Sequence, residues 1–236
     1  MDLTMDLIEQ AAQHLAEARR TKRRGERIPE AARPRDIDTA LAIQSRVTQL
    51  LGEPVGGWKC STPKPEKPTL LAPIYASTIH RGDRCPIIPR DGMALIEPEI
   101  AFVVGEGGIA ETRFVVELIG SRYERPEDAT FPEMLADGLN GQGLLIGPIV
   151  EGGPGDWMRA FPIEISGVFE GECRHPDGHP LAPFEWLQSY RPAGPGQIVT
   201  TGSYAGIVRA PLNHPLRVRF AGRGEIAVTF YPDSAA

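Results

Sequence analysis

Ile96-Glu97-Pro98-Glu99-Ile100-Ala101-Phe102-Val103-Val104 sets two carboxylates inside a run that is otherwise apolar. A stretch so short and so rich in isoleucine, valine and phenylalanine reads as a β-strand. Residues two apart in an extended chain point to the same side, so Glu97 and Glu99 project together. Like charges held that close in a partly buried place need a cation between them or a shared proton. Oxygen donors of this kind suit a hard divalent ion such as Mg²⁺ or Mn²⁺. The pair alone fits equally well a solvent-facing acidic strand with Pro98 marking a sheet edge, and a third acid is needed to separate the two. Glu117 supplies it, as the single charge in Phe114-Val115-Val116-Glu117-Leu118-Ile119. Three acids embedded in two neighbouring strands are hard to accommodate without a cation.

Outward from these strands, proline and glycine become frequent after Gly56, and the apolar runs at 94–104, 114–119 and 143–150 have strand length. Further strands are expected at 161–169, 197–201, 216–220 and 225–231, with a short helix over 183–190. Before Gly56 the period changes. Leu3, Leu7, Ile8, Ala11, Ala12, Leu15 and Ala16 recur at helical spacing and predict an amphipathic helix over 3–19, ending in the basic run 19–24, a solvated helix end. A second helix is predicted over 38–51, with an aspartate near its start and Gly52 as its stop. The pattern divides the chain into an N-terminal helical or α+β region, residues 1–75, and a β-rich body, residues 76–236, which makes the whole α+β.

The 236 residues carry 25 Lys plus Arg against 31 Asp plus Glu, a net charge of -6 that argues against a nucleic-acid groove or an anionic membrane surface. A small molecule is the expected partner. The first residues lack the basic start and unbroken apolar core of a signal peptide, and no stretch reaches transmembrane length, so the cytoplasm is the expected compartment. Cys60, Cys85 and Cys173 are odd in number and show no CxxC spacing, against a disulfide framework or structural zinc. Cys173, His175 and His179 lack a fourth ligand, and Asp177-Gly178 between the histidines reads as a hairpin turn.

Several motifs in order resemble the 2-keto-4-pentenoate hydratases of the fumarylacetoacetate hydrolase superfamily. They are Gly57-Trp58-Lys59, Glu97-Pro98-Glu99, Glu117 followed by Ser121-Arg122, Ala136-Asp137, His179-Pro180-Leu181 with Trp186-Leu187, and Thr201-Gly202-Ser203. The resemblance spans nearly the whole chain. It implies a β-rich body of that fold, Glu97, Glu99 and Glu117 as ligands of Mg²⁺ or Mn²⁺, and Lys59 as the amine that binds substrate charge or moves a proton. It implies Thr201, Gly202 and Ser203 as a loop at the substrate carboxylate, Asp137 as a further substrate contact or a helix cap, and a homo-oligomer.

The implied reaction is addition of water to a 2-hydroxy-2,4-dienoate, giving a 4-hydroxy-2-oxo acid. A 4-oxalocrotonate-type decarboxylase would use the same metal and lose carbon dioxide instead. Two family acids are missing here: Leu71 stands where an aspartate precedes x-Pro, and Gly120 where one precedes Ser-Arg. Gly138 likewise replaces an asparagine after Asp137. Those losses open a third alternative, a degenerate member that binds and stabilises an active relative.

Overall fold

In the computed structural model, which describes residues 3–66, 70–152, 154–220 and 222–233, the helical period at the N-terminus yields α1 (Leu3–Thr21) and α2 (Ile37–Leu51). Ala11, Ala12, Leu15 and Ala16 of α1 meet Ile43 and Val47 of α2 in a small core of their own. The helix-starting aspartate is Asp36, whose side chain accepts from the Thr39 N–H at 2.8 Å, and Asp38 lies in the first turn. Gly52 ends the helix at φ 68°, a conformation glycine takes without strain. The basic run after α1 is not wholly solvated, because the Arg19 side chain is only 12% exposed. No helix of the described residues is long and apolar enough to cross a membrane.

Strands β1 (Val55–Cys60), β2 (Leu71–Tyr75), β3 (Ile79–His80), β4 (Arg84–Ile87), β5 (Met93–Gly105) and β6 (Gly108–Ile119) follow. Next come α3 (Phe131–Ala136), β7 (Gly141–Ile149), the short α4 (Pro154–Trp157), β8 (Phe161–Ile165), β9 (Phe169–Cys173) and α5 (Leu181–Tyr190). The chain closes with β10 (Ile198–Thr200), β11 (Val208–Pro211), β12 (Pro215–Phe220) and β13 (Glu225–Pro232). The larger sheet runs β2-β1-β10-β5-β6-β7-β3, with β11 also pairing with β5, and the smaller runs β4-β13-β12-β8-β9.

Alternation along β5 and β6 gives each face of the larger sheet its own task. Ile100, Phe102, Phe114 and Val116 face the smaller sheet, where Phe114 stacks on Phe220 with centroids 3.9 Å apart. On the opposite face Ala101 and Val115 gather with Ile74, Leu144, Ile146 and Ile198, drawn from five strands as the sheet curls to bring β2 against β7. Glu97, Glu99 and Glu117 continue this second face towards one end.

Pro98 does not mark a sheet edge. On one side it pairs with Val116 of β6, and on the other it falls in the gap where β5 leaves β11, last paired at Ile96, before meeting β10, first paired at Ala101. A residue without an N–H is tolerated there because no neighbour asks for one.

Three other expectations change. Residues 161–169 form two strands, since Gly167 at φ 71° turns the chain between β8 and β9. A boundary at residue 75 would cut the larger sheet, because β1 pairs with β10 and β2 with β1; the helical unit ends near residue 52. The turn at His175–Gly178, closed by the Gly178 N–H on the His175 carbonyl at 3.0 Å, leads from β9 into α5 and is no hairpin. His179 Nδ1 then accepts from the first N–H of α5, Leu181, at 3.1 Å.

Candidate metal centre

Glu97 and Glu117 are direct cross-strand partners, and Glu99 lies two residues along on the same face. One carboxylate oxygen from each lies within 4.8 Å of the others, and they are the sole such grouping of three among the described residues. Glu99 and Glu117 are 1% and 2% exposed. The equivalent alternation in β1 sends Trp58 and Cys60 into the core between the sheets and Lys59 the other way. Lys59 Nζ donates to Glu117 Oε1 at 2.5 Å and to the Leu139 carbonyl at 3.2 Å. The acids, Lys59, Ser61, Leu70, Leu139 and Thr200 surround a cavity of about 240 Å³.

Burial, reinforced by Glu117, raises the Glu97 pKa to about 7. Burial and both neighbouring acids hold Glu99 well above the ordinary carboxylate range. Burial works to lower the Lys59 pKa, but Glu117 and Glu97 outweigh it and the net shift is upward. With all three carboxylates ionised and one ammonium the cluster would carry a net charge of -2, which a divalent cation cancels. All-oxygen donors in that number fit Mg²⁺ or Mn²⁺.

The loop after β10 approaches from the side that Pro98 leaves open. Gly202 N–H donates to Glu99 Oε2 at 3.2 Å, and Ser203 Oγ donates to the Pro98 and Gly206 carbonyls at 3.4 and 3.2 Å. Gly202 and Ser203 line the cavity, but Thr201 does not: it points away, and its carbonyl takes a hydrogen bond from His175 Nε2 at 3.0 Å. Its place is taken by Thr200, whose Oγ1 is buried without a hydrogen-bond partner. The period of two from Ile198 through Val199 puts Thr200 on the face of Ile198, a signal present in the sequence.

Asp137 is not at the cavity either. Its carboxylate is buried, accepting from Ser121 Oγ at 3.2 Å, Arg122 N–H at 3.1 Å and Arg122 Nε at 2.5 Å, while its backbone ends α3. The Arg122 guanidinium also holds the Gly141 carbonyl at 2.8 Å. Between those anchors Gly138, Leu139 and Asn140 all take positive φ, 81°, 52° and 59°. That left-handed run aims the Leu139 carbonyl at Lys59 and explains a glycine at 138. The Ser-Arg and Ala-Asp landmarks therefore act on the site through the backbone they clamp.

No family model matches this chain, and no curated protein matches it in sequence. Solved structures do match in fold. 4-Oxalocrotonate decarboxylase from Pseudomonas putida G7, complexed with magnesium and adipate, superposes with TM-score 0.73 at 19% identity, over 97% of this chain and 99% of the other. 2-Hydroxyhepta-2,4-diene-1,7-dioate isomerase from Mycobacterium marinum gives 0.52 at 15% identity, over 77% of each chain. A fumarylacetoacetate hydrolase family protein from yeast gives 0.53 at 13% identity, over 76% of this chain and 93% of the other. The architecture, a β-rich body with a small helical N-terminal region, is that of the fumarylacetoacetate hydrolase fold.

Proposed function

We propose that the chain is a divalent-metal-dependent lyase acting on a small 2-oxo acid, and that its reaction is hydration of a 2-hydroxy-2,4-dienoate to a 4-hydroxy-2-oxo acid. The observation that carries this is the convergence of three buried carboxylates beside one ammonium in a cavity of about 240 Å³. Glu97, Glu99 and Glu117 would hold Mg²⁺ or Mn²⁺, which when bound would supply Lewis acidity towards a 2-oxo acid. Lys59 gives and takes the proton at the reacting carbon. Gly202 N–H fixes Glu99, and the unpartnered Thr200 hydroxyl and that of Ser61 offer donors to the substrate carboxylate. Leu70 and Leu139 limit access of bulk water.

Decarboxylation of a 4-oxalocrotonate-type dioate is the second reading, favoured by the end-to-end likeness in fold to the decarboxylase. Among the described residues Lys59 is the one cationic side chain lining the cavity, and loss of carbon dioxide asks for a single proton where hydration also needs an activated water. The protein is proposed to work as a homo-oligomer, which light scattering reads directly.

Purified protein with Mg²⁺ or Mn²⁺ should bleach the ultraviolet absorbance of 2-hydroxypenta-2,4-dienoate without releasing carbon dioxide. Carbon dioxide from a 2-oxo dioate would assign the decarboxylase. No turnover of either substrate and no bound metal would overturn both and leave a binding partner of an active relative.

A further inference from the structure

A second cavity of about 400 Å³ lies beyond the ends of α1 and α2, walled by Leu51, Tyr75, Ile87, Leu118 and Tyr231 and by the guanidiniums of Arg19 and Arg122. A constriction of about 10 Å³ beside Thr78 and Gln142 separates it from Lys59 and Glu117. The Gln142 amide there is fully engaged, donating to the Ile88 and Ile119 carbonyls and accepting from the Ile88 N–H, each at 2.9 Å.

The charges in this wall do not cancel. Asp137 is one carboxylate facing two guanidiniums, Arg122 Nε at 2.5 Å and Arg19 Nη2 at 4.0 Å. Arg122 and Ser121 occupy its oxygens, so Arg19 reaches Asp137 only at the backbone carbonyl, 2.5 Å from Nη2. Arg19 Nε is buried with no hydrogen-bond partner. Burial and repulsion from Arg122 press the Arg19 pKa down to about 10, which leaves it charged at neutral pH. Two more cations line the rim: Lys22 pairs with Asp233 at 2.8 Å and Arg20 donates to the Leu50 carbonyl, so Arg19, Arg20, Lys22 and Arg122 face three acids, Asp137, Asp233 and Glu53. The acid Glu53 on the same wall takes a hydrogen bond from Ser77 Oγ and exerts the weakest of the pulls on Arg19. A buried guanidinium whose charge is only partly compensated is costly, and an anion beside it relieves that cost.

We propose that this cavity is a second ligand site, distinct from the carboxylate cluster, that takes the carboxylate of a small organic acid against Arg19. The acid's carbon body lies against Tyr75, Ile87, Leu118 and Tyr231. One surplus charge matches a monoanionic carboxylate better than a phosphate dianion, and the apolar walls favour carbon over an inorganic ion. The site stands independently of the proposed reaction.

Metal-free protein in chelator-free buffer isolates it, because the cation that would hold a carboxylate at the Glu97 cluster is then absent. Isothermal titration with butyrate should show saturable one-to-one binding. Arg19→Gln should weaken it by about tenfold or more, the usual worth of a hydrogen bond to a charged group. Leu51→Trp, which fills the cavity and leaves Arg19 in place, should abolish it. Absence of saturable butyrate binding to the unaltered protein overturns the proposal, as does unchanged affinity in Leu51→Trp or in folded Arg19→Gln. Tighter binding of inorganic phosphate than of butyrate at equal ionic strength overturns the carboxylate assignment.

Discussion

Replacing Lys59 by methionine should move stability and metal affinity in opposite directions. Lys59 and Glu117 form a 2.5 Å pair whose side chains are 16% and 2% exposed. Removing one partner of a buried pair costs about 3–5 kcal/mol, because the other charge stays behind unpaired. At roughly 2–4 °C per kcal/mol for a chain of this size, metal-free Lys59→Met should melt about 6–20 °C below the parent. The metal responds the other way. An ion ligated at about 2.0–2.6 Å from the Glu117 oxygen would lie within roughly 5 Å of the ammonium. A divalent and a monovalent charge that far apart repel by about 7 kcal/mol at an effective dielectric constant near 20. The lysine can swing aside and shed much of that, so the variant should bind Mg²⁺ about tenfold tighter or more. Thermal melts across a Mg²⁺ titration, with calorimetric affinities, measure both quantities. Equal affinities in parent and variant, or equal metal-induced gains in melting temperature, would refute this account of the cluster.

Other expectations follow from the same geometry. Glu99→Gln replaces a charged ligand by a neutral amide of similar shape, so Mg²⁺ affinity should fall at least about tenfold and turnover with it, checked by calorimetry and dienol bleaching. Glu97 titrates near 7 in the fold against 4.5 as a free side chain, so the metal-free native state holds an extra proton between those values. Its stability should therefore fall as pH rises from about 4.5 to about 7, and saturating Mg²⁺ should flatten or reverse the slope in denaturant melts. Arg122→Ala strands the buried Asp137 carboxylate with only Arg19 at 4.0 Å for compensation, and should cost about 3 kcal/mol in urea unfolding. Gly120→Asp drives a side chain into Gln142 and should cost about 1–3 kcal/mol, relieved by adding Gln142→Ala.

Glu97 and Glu99 could be read from sequence as a pair because a strand's period of two is rigid, whereas Glu117 joins them through the register that sets it opposite Glu97. Lys59 follows the same rule between Trp58 and Cys60. What escaped detection depends on contacts between distant residues. Asp137 is drawn into the interior by Arg122 and Ser121, and nothing within its own motif distinguishes that from a substrate contact. Arg19 looks like any cation at a helix end until α1 is laid against Tyr75 and Asp137. The parallel pairing of β1 with β10, which delivers Thr200 to the cavity opposite Lys59, joins distant parts of the chain and leaves no local trace.

The two missing acids bear on whether the cradle is degraded, and the structure gives each a local reason. Leu71 belongs to the core between the sheets, on the opposite face of β2 from Ile74, so in this chain a carboxylate at 71 would be buried among apolar side chains and not beside Glu97. Gly120 has no room for a side chain because Gln142 fills that space and spends its whole amide on the backbone of Ile88 and Ile119. A neutral, fully bonded glutamine there holds β6 and β7 in register without adding a charge. Neither position lines the cavity. The four charged groups that line it among the described residues, Glu97, Glu99, Glu117 and Lys59, keep their mutual contacts across three strands, and only a bound cation lets all three acids ionise there together. A structural ion would do so as well as a catalytic one, yet a purely structural ion needs no adjoining space. The cavity of about 240 Å³ against the ligand oxygens, with the Lys59 ammonium in its wall, is the feature that favours chemistry over scaffolding.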